Sequence, residues 1–223
     1  MSADWQAWKR LRAIIFDMDG VIVDSEPLHE QAFREVFDAM GFRESHAIDF
    51  ATYYGRSDEA LWRDFIAKHQ PAQSLATLLT WKRNVFLQHL LARQPLFEGL
   101  PELVEKLASR YGLAVASGSP HPVIDGVLSM RNLRRFFPVV VSAQDVTHEK
   151  PAPDIFLRAA ALLSASPAEC CVIEDSAAGV RGALTAGMSV IAITNTLPSE
   201  QLAGATYVVN TYPEVEALLL PNA

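Results

Sequence analysis

Cysteine is scarce in this chain, and long apolar runs are missing. The only two cysteines, Cys170 and Cys171, are adjacent in an apolar segment, where neighbouring side chains point to opposite faces and cannot easily bridge. We therefore interpret them as reduced core residues. No run approaches the roughly 18 apolar residues of a bilayer-spanning helix, and the first ten residues lack the apolar segment of a secretory signal. These absences predict a cytoplasmic protein that does not associate with membranes.

Positive charge is also in short supply. The 223 residues include 19 Lys and Arg against 26 Asp and Glu, which gives a formal net charge of −7. Nucleic-acid phosphates are held by clustered Lys and Arg, so we do not expect nucleic acid as a partner. An acidic protein that handles a phosphate group must supply positive charge locally. For the assembly we expect a monomer or a weak homodimer.

The pattern of elements indicates an α/β protein interrupted by a helical segment. The short, β-branched run Ala13–Phe16 predicts a strand buried on both faces. After about residue 100, helical and strand patterns alternate, which predicts a parallel sheet with helices on both faces. Between these parts no strand is indicated. The predicted fold class is a Rossmann-like α/β core of residues 1–24 and 95–223 with an inserted all-helical cap domain at residues 25–94.

Polar residues follow the predicted strands, where an open α/β sheet places its ligands. Asp17 and Asp19 follow the first strand, and residues two apart in an extended segment point to the same side. Alone, this Asp-x-Asp-Gly pattern is more typical of a surface turn. Other polar residues sit at the ends of the later strands, and we expect all of them to converge on one edge: Ser117, Lys150, Glu174 and Asp175.

Four motifs in this order resemble those of the haloacid-dehalogenase superfamily of phosphotransferases. They are Asp17-Met-Asp-Gly-Val21, Ser117-Gly118, Lys150-Pro-Ala-Pro-Asp-Ile-Phe156 and Glu174-Asp-Ser-Ala-Ala-Gly179. The resemblance covers nearly the whole chain. The helical insert is similar to the cap of the subgroup that contains β-phosphoglucomutase and sugar-phosphate phosphatases.

This resemblance implies how the acidic residues act. Asp17 would be the nucleophile that forms an aspartyl-phosphate, and Asp19 would protonate the leaving oxygen and then activate water. A Mg²⁺ ion would mask the phosphate charge, held by Asp17, the backbone carbonyl of Asp19, and Asp175, with Glu174 helping directly or through water. Asp19 argues against a true dehalogenase, because a halide leaves without needing a proton.

The resemblance also implies which residues hold the phosphate. The ammonium of Lys150 would contact both Asp17 and the phosphate, while Ser117 and the N–H groups around Gly118 would hydrogen-bond it.

Three cap residues are candidates for binding the rest of the substrate. These are His29, Arg56 and Lys82. His29 is equally interpretable as a residue of a helix surface, and a lysine such as Lys82 is more often part of a solvated helix face. Asp58 stands where the mutase has an arginine for a second phosphate, which favours a hydrolase. We predict a Mg²⁺-dependent phosphatase of a small metabolite, most simply a sugar phosphate. The alternatives are a β-phosphoglucomutase-like mutase and a silent binding protein.

Overall fold

The computed structural model describes Trp8, residues 10–53 and residues 57–221. The chain divides into two compact units. The α/β unit comprises the chain up to Asp24 and from Leu96 onward, and the helical unit comprises Ser25–Pro95.

The α/β unit is built on a single parallel sheet. Its strands are β1 (Ala13–Phe16), β2 (Gly112–Ser117), β3 (Val139–Ser142), β4 (Cys170–Glu174), β5 (Ser189–Ile193) and β6 (Tyr207–Val209). They lie in the order β3-β2-β1-β4-β5-β6, and every neighbouring pair is parallel. Every residue of β1 and β4 is buried, which explains why these strands are continuous runs without alternation. The predicted α/β fold class is confirmed.

Helices occur in both units of the described chain. The α-helices are α1 (Glu26–Ala39), α2 (Asp58–His69), α3 (Leu75–Arg93), α4 (Leu100–Ala108), α5 (His121–Ser129), α6 (Asp154–Leu162), α7 (Ala177–Thr185) and α8 (Tyr212–Leu219). Short 3₁₀ segments span Phe50–Tyr53, Met130–Phe136, Ala143–Asp145, Pro167–Glu169 and Ser199–Leu202. In the residues that the structure describes, no helix combines the length and apolar composition that crossing a bilayer would require.

The register of the central strands determines which residues meet at the carboxyl edge. Phe16, the last residue of β1, pairs with Val115 on one side and Ile173 on the other. The next residue, Asp17, donates its backbone N–H to the carbonyl of Ile173 at 2.9 Å. The chain direction of all three strands is the same, so Asp17 emerges between the ends of β2 and β4.

The helical unit has an aromatic core of its own. Helices α1, α2 and α3 contribute buried side chains that include Phe33, Phe37, Trp62, Phe65 and Leu78. Serine side chains cap the second and third helices: Ser57 Oγ accepts from the N–H of Ala60, and Ser74 Oγ from that of Thr77. Within the described residues, the unit is therefore helical, as the sequence predicts.

The two cysteines lie in the core of the α/β unit. Both Cys170 and Cys171 are free and buried, and burial raises the pKa of the Cys170 thiol to about 11. Thiols in this state are unreactive, which confirms their interpretation as reduced core residues.

Candidate active site at the carboxyl edge of the sheet

Three buried carboxylates meet beyond the ends of β1 and β4. Asp17, Glu174 and Asp175 each offer an oxygen, and these oxygens lie within 4.8 Å of one another. Asp17 follows β1 directly, and Glu174 ends β4, so the pairing of these two strands is what brings them together. Such a cluster of hard oxygen donors suits a divalent cation such as Mg²⁺.

Lys150 supplies the positive charge at this cluster. Its ammonium donates to Asp17 Oδ1 at 2.5 Å, to Glu174 Oε1 at 2.7 Å and to the backbone carbonyl of Ala116 at 3.1 Å. An ammonium has three protons to donate, so each one has an acceptor. Lys150 is thereby fixed against the carboxylate of Asp17.

Glu174 is held rigidly and is largely occupied by donors. In addition to the bond from Lys150, its Oε2 accepts from the N–H groups of Asp175 and Ser176 and from Ser176 Oγ, at 2.8–2.9 Å. The first turn of α7 closes over it, since a Cβ on Gly179 would lie 1.6 Å from Glu174 Oε1. Glu174 thus anchors Lys150, while Asp17 and Asp175 carry fewer such bonds among the described residues.

The turn after β1 passes very close to Asp175. Gly20 has a φ of +77°, and a Cβ at this position would lie 1.9 Å from Asp175 Oδ2 and 2.6 Å from Thr196 Oγ1. Thr196 also hydrogen-bonds the Asp175 carboxylate. Only glycine allows this backbone conformation and this approach together.

The carboxylates compete for too little positive charge. Burial, followed by repulsion from Glu174, raises the pKa of Asp175 to about 7. Burial also raises the pKa of Asp17 well above its ordinary value, despite the attraction of Lys150. For Lys150, burial lowers the pKa, but Asp17 and Glu174 outweigh it and the net pKa is raised. Three carboxylates around one ammonium leave a buried negative excess, which a divalent cation would neutralise. The donor set and the charge both fit Mg²⁺.

Asp19, whose charge helps to raise the pKa of both Asp17 and Asp175, is held by a serine that the sequence analysis did not identify. Ser119 Oγ donates to Asp19 Oδ2 at 2.8 Å. The backbone N–H of Ser119 in turn donates to Ser117 Oγ at 3.0 Å, and its carbonyl accepts from Ser142 Oγ. A serine two positions beyond Ser117, in the same turn, was the signal that could have identified it.

The turn after β2 leaves room at Gly118. A Cβ added to Gly118 would have no heavy atom within 4 Å. Ser117, in contrast, is fully buried, so its hydroxyl is fixed at the start of this turn.

In the helical unit, a polar cluster around the buried Lys82 includes two of the predicted substrate-binding residues, Lys82 and the partly exposed His29. Lys82 is only 1% exposed; its ammonium donates to both oxygens of Asp58, at 2.9 and 2.8 Å, and hydrogen-bonds His29 Nδ1. Its Nζ also lies 4.6 Å from the centre of the Phe33 ring. The alternative interpretation of Lys82 as part of a solvated helix face is therefore wrong. Arg56 lies outside the described residues, and the substrate-binding roles of all three residues stay predictions.

Comparison with known proteins identifies a family and its relatives. Residues 14–193 match the family model described as haloacid dehalogenase-like hydrolase. Fructose-1-phosphate phosphatase YqaB of Escherichia coli is 33% identical over 188 residues, which cover 82% of this chain and 97% of the relative. Hexitol phosphatase B of the same species is 32% identical over 196 residues, covering 83% and 84%.

Solved structures share the fold. CbbY from Rhodobacter sphaeroides in complex with xylulose-(1,5)bisphosphate has a TM-score of 0.76 and 26% identity over 92% of this chain and 96% of its own. A putative β-phosphoglucomutase from Thermotoga maritima has a TM-score of 0.74 and 27% identity over 94% and 97%. The family match spans β1 to β5 and includes every residue of the carboxylate cluster, so this chain belongs to the haloacid dehalogenase-like hydrolases.

Proposed function

We propose that this protein is a Mg²⁺-dependent phosphatase that hydrolyses a small phosphorylated metabolite, most simply a sugar phosphate, through an aspartyl-phosphate on Asp17. The observation that carries the proposal is the pair of contacts around Asp17. One oxygen of this buried carboxylate accepts from Lys150, and the carboxylate also lies within the cluster that it forms with Glu174 and Asp175. A carboxylate held in this way is oriented by fixed partners, as a nucleophile requires.

In this mechanism the residues of the cluster prepare the attack. Asp17 Oδ2, the oxygen not bonded to Lys150, would attack phosphorus while the ester oxygen departs. The ammonium of Lys150 would offset negative charge on the carboxylate and on the transferring phosphoryl group. Ser117 and the backbone N–H groups near Gly118 would hydrogen-bond the phosphoryl oxygens.

Asp19 would serve as the acid and then the base. Its carboxylate accepts a hydrogen bond from Ser119 Oγ. In the first step it would give a proton to the leaving oxygen, and in the second it would take one from the water that attacks the aspartyl-phosphate. This water attack cleaves the P–O bond to Asp17 and restores the free carboxylate.

The metal would be held by Asp17, Asp175 and the backbone carbonyl of Asp19, with Glu174 as an anchor at the edge of the site. When bound, Mg²⁺ would neutralise the phosphate charge and the negative excess of the cluster.

We favour a hydrolase over a mutase because of Asp58, which stands where the mutase has an arginine and is an acid paired with a lysine. Asp58 binds the ammonium of Lys82 through both oxygens, so this pair offers no net positive charge for a second phosphate. Sugar phosphates are proposed because the fructose-1-phosphate and hexitol phosphatases are relatives above 30% identity. We further propose that residues 25–94 form the domain that selects among them.

The experiment is a panel of phosphate esters assayed for phosphate release with Mg²⁺ present and after chelation. We expect release that requires Mg²⁺ and is abolished in Asp17→Asn, with the circular dichroism spectrum unchanged. Asp125→Asn, an exposed carboxylate on α5, is the control and should retain wild-type turnover. Near-normal turnover by Asp17→Asn would refute the nucleophile, and isomerisation of β-glucose 1-phosphate much faster than its hydrolysis would favour the mutase.

A further inference from the structure

Two side chains from the far end of the chain hold the turn that follows β1. Tyr212 Oη donates to the backbone carbonyl of Val21 at 2.6 Å. Asn195 Nδ2 donates to the carbonyl of Gly20 at 2.8 Å and to Tyr212 Oη at 3.0 Å. The two residues thus form one connected network on two consecutive carbonyls of the turn.

This network has a single consistent direction of donors and acceptors. Asn195 uses both amide protons, and Tyr212 accepts one of them while donating its own proton to Val21. Tyr212 is only 7% exposed, and burial raises the pKa of its hydroxyl, so the hydroxyl stays protonated and able to donate. Removing the hydroxyl would therefore leave the carbonyl of Val21 and one amide proton of Asn195 without these partners.

The turn held by this network is the one on which the metal site depends. It carries the backbone carbonyl of Asp19, and it brings Gly20 so close to Asp175 that a Cβ there would lie 1.9 Å from Asp175 Oδ2. The turn has internal bonds of its own, from Gly20 N–H to Val23 and from Ile22 N–H to Met18. Those bonds fix its shape. Its first residue is tied to β4 by the bond from Asp17 N–H to Ile173, whereas Gly20 and Val21, farther along the turn, are tied by Asn195 and Tyr212.

We propose that Asn195 and Tyr212 are positioning residues that hold the Asp17–Gly20 turn at the distance from Asp175 that divalent-cation binding needs. This inference rests on the metal site of the proposed function. Neither residue is assigned contact with substrate or metal. Groups that orient metal ligands without touching the metal commonly change affinity by about 10–100-fold when they are removed.

The chain offers a matched control for the tyrosine. Tyr111 is also 7% exposed, and its hydroxyl also donates to a backbone carbonyl, that of Leu219, at 2.8 Å. That bond ties the loop before β2 to the end of α8 and does not involve the turn after β1. Tyr111→Phe therefore removes an equivalent hydrogen bond without altering the metal site.

The experiment measures Mg²⁺ binding by isothermal titration calorimetry, without substrate, for the wild type, Tyr212→Phe, Asn195→Ala and Tyr111→Phe. We expect the two tyrosine variants to lose a similar 2–4 °C of Tm, as for about 1 kcal/mol of stability. Only Tyr212→Phe and Asn195→Ala should raise the Kd for Mg²⁺, by about tenfold or more. In phosphate-release assays, excess Mg²⁺ should restore most of the kcat of these two variants.

Several outcomes would overturn the inference. An unchanged Kd in both Tyr212→Phe and Asn195→Ala, or an equal rise in Tyr111→Phe, would remove the positioning role. Failure of both network variants to fold, while Tyr111→Phe folds, would show that the network serves folding instead. Wild-type protein that binds Mg²⁺ but releases no phosphate would refute the proposed function alone, and wild-type protein that binds no Mg²⁺ would refute the metal site itself.

Discussion

The pKa of Asp175 makes the stability of the metal-free protein depend on pH in an unusual direction. Burial and the charge of Glu174 raise this pKa from 3.8 to about 7. Between these two values the folded protein keeps a proton that the unfolded chain has released. Stability conferred by this group is therefore fully present below about pH 4 and is lost as the pH rises towards 7. Most buried carboxylates with a cationic partner behave in the opposite way.

The size of this loss of stability follows from the rise of the Asp175 pKa from 3.8 to about 7. At about 1.4 kcal/mol per pKa unit, ionising Asp175 in the metal-free protein costs about 4 kcal/mol of unfolding free energy by pH 8. Asp17, whose pKa is also raised, adds to the loss. Lys150 does not contribute in this range, because its raised pKa gives stability that is constant below its ordinary value of 10.5.

Mg²⁺ should reverse this loss, because it binds the ionised carboxylates that are costly without it. We expect Mg²⁺ to raise the unfolding free energy strongly at pH 8 and hardly at all at pH 5, where protons compete for the same oxygens. The measurement is urea unfolding at pH 5, 6, 7 and 8, with millimolar Mg²⁺ or with EDTA.

The control variant is Asp175→Asn, which keeps the shape of the side chain and removes its titration. Other groups also titrate here: burial lowers the pKa of His46, which makes stability rise with pH and so opposes the effect of Asp175. The difference between wild type and variant cancels such contributions. We expect metal-free Asp175→Asn to be more stable than the wild type at pH 8 and to gain little from Mg²⁺. A metal-free wild type that matches the variant at pH 8 would refute the reasoning.

Two further predictions concern single contacts. Gly179→Ala places a Cβ 1.6 Å from Glu174 Oε1, so it must displace a carboxylate that Lys150 and the start of α7 hold fixed. We expect the unfolding free energy measured in urea to fall by about 1–3 kcal/mol, together with a fall in kcat. Lys82→Met removes the partner of Asp58 in the helical unit. It should lower the unfolding free energy by about 1–3 kcal/mol, measured by thermal denaturation.

The controls for these changes are chosen from the same elements. Ala178→Ser alters α7 one residue before Gly179 and should leave stability within about 0.5 kcal/mol of the wild type. Lys68→Met removes an exposed lysine of the helical unit and should be similarly neutral. Wild-type stability of Gly179→Ala would mean that Glu174 can move freely. Equal effects of Lys82→Met and Lys68→Met would mean that the ion pair between Lys82 and Asp58 contributes nothing to stability.

Local sequence was sufficient to predict which segments form strands and helices, but not which strands lie next to each other in the sheet. The run Ala13–Phe16 predicted β1 correctly because a strand buried on both faces must be continuously apolar. The order of the strands had no signal in any single segment, because it is decided by which strands pair across long distances in the chain.

The same distinction separates the site residues that the sequence indicated from those that it did not. Asp17 and Asp175 stand in short motifs at strand ends, where the residue types alone indicate chemistry. The burial of Lys82 depends on Asp58, 24 residues away, and the role of Tyr212 depends on Val21, 191 residues away. Helical spacing marks Lys82 as polar on a helix and gives no sign of its partner on another helix. Such contacts become visible only in the folded chain.

The cost of the carboxylate cluster is itself an argument for its function. A domain of this size is stable by about 5–15 kcal/mol, and a cluster that loses about 4 kcal/mol at neutral pH takes a large share of that margin. Hydrophobic side chains would fill the end of β4 without this loss. The cluster is unfavourable without a cation. A divalent cation that binds it removes this cost, and the free energy recovered adds to the binding free energy of the cation. In the proposed function, the ionisation cost of the metal-free site would therefore contribute to its affinity for Mg²⁺, and the pH series with and without the ion measures that contribution.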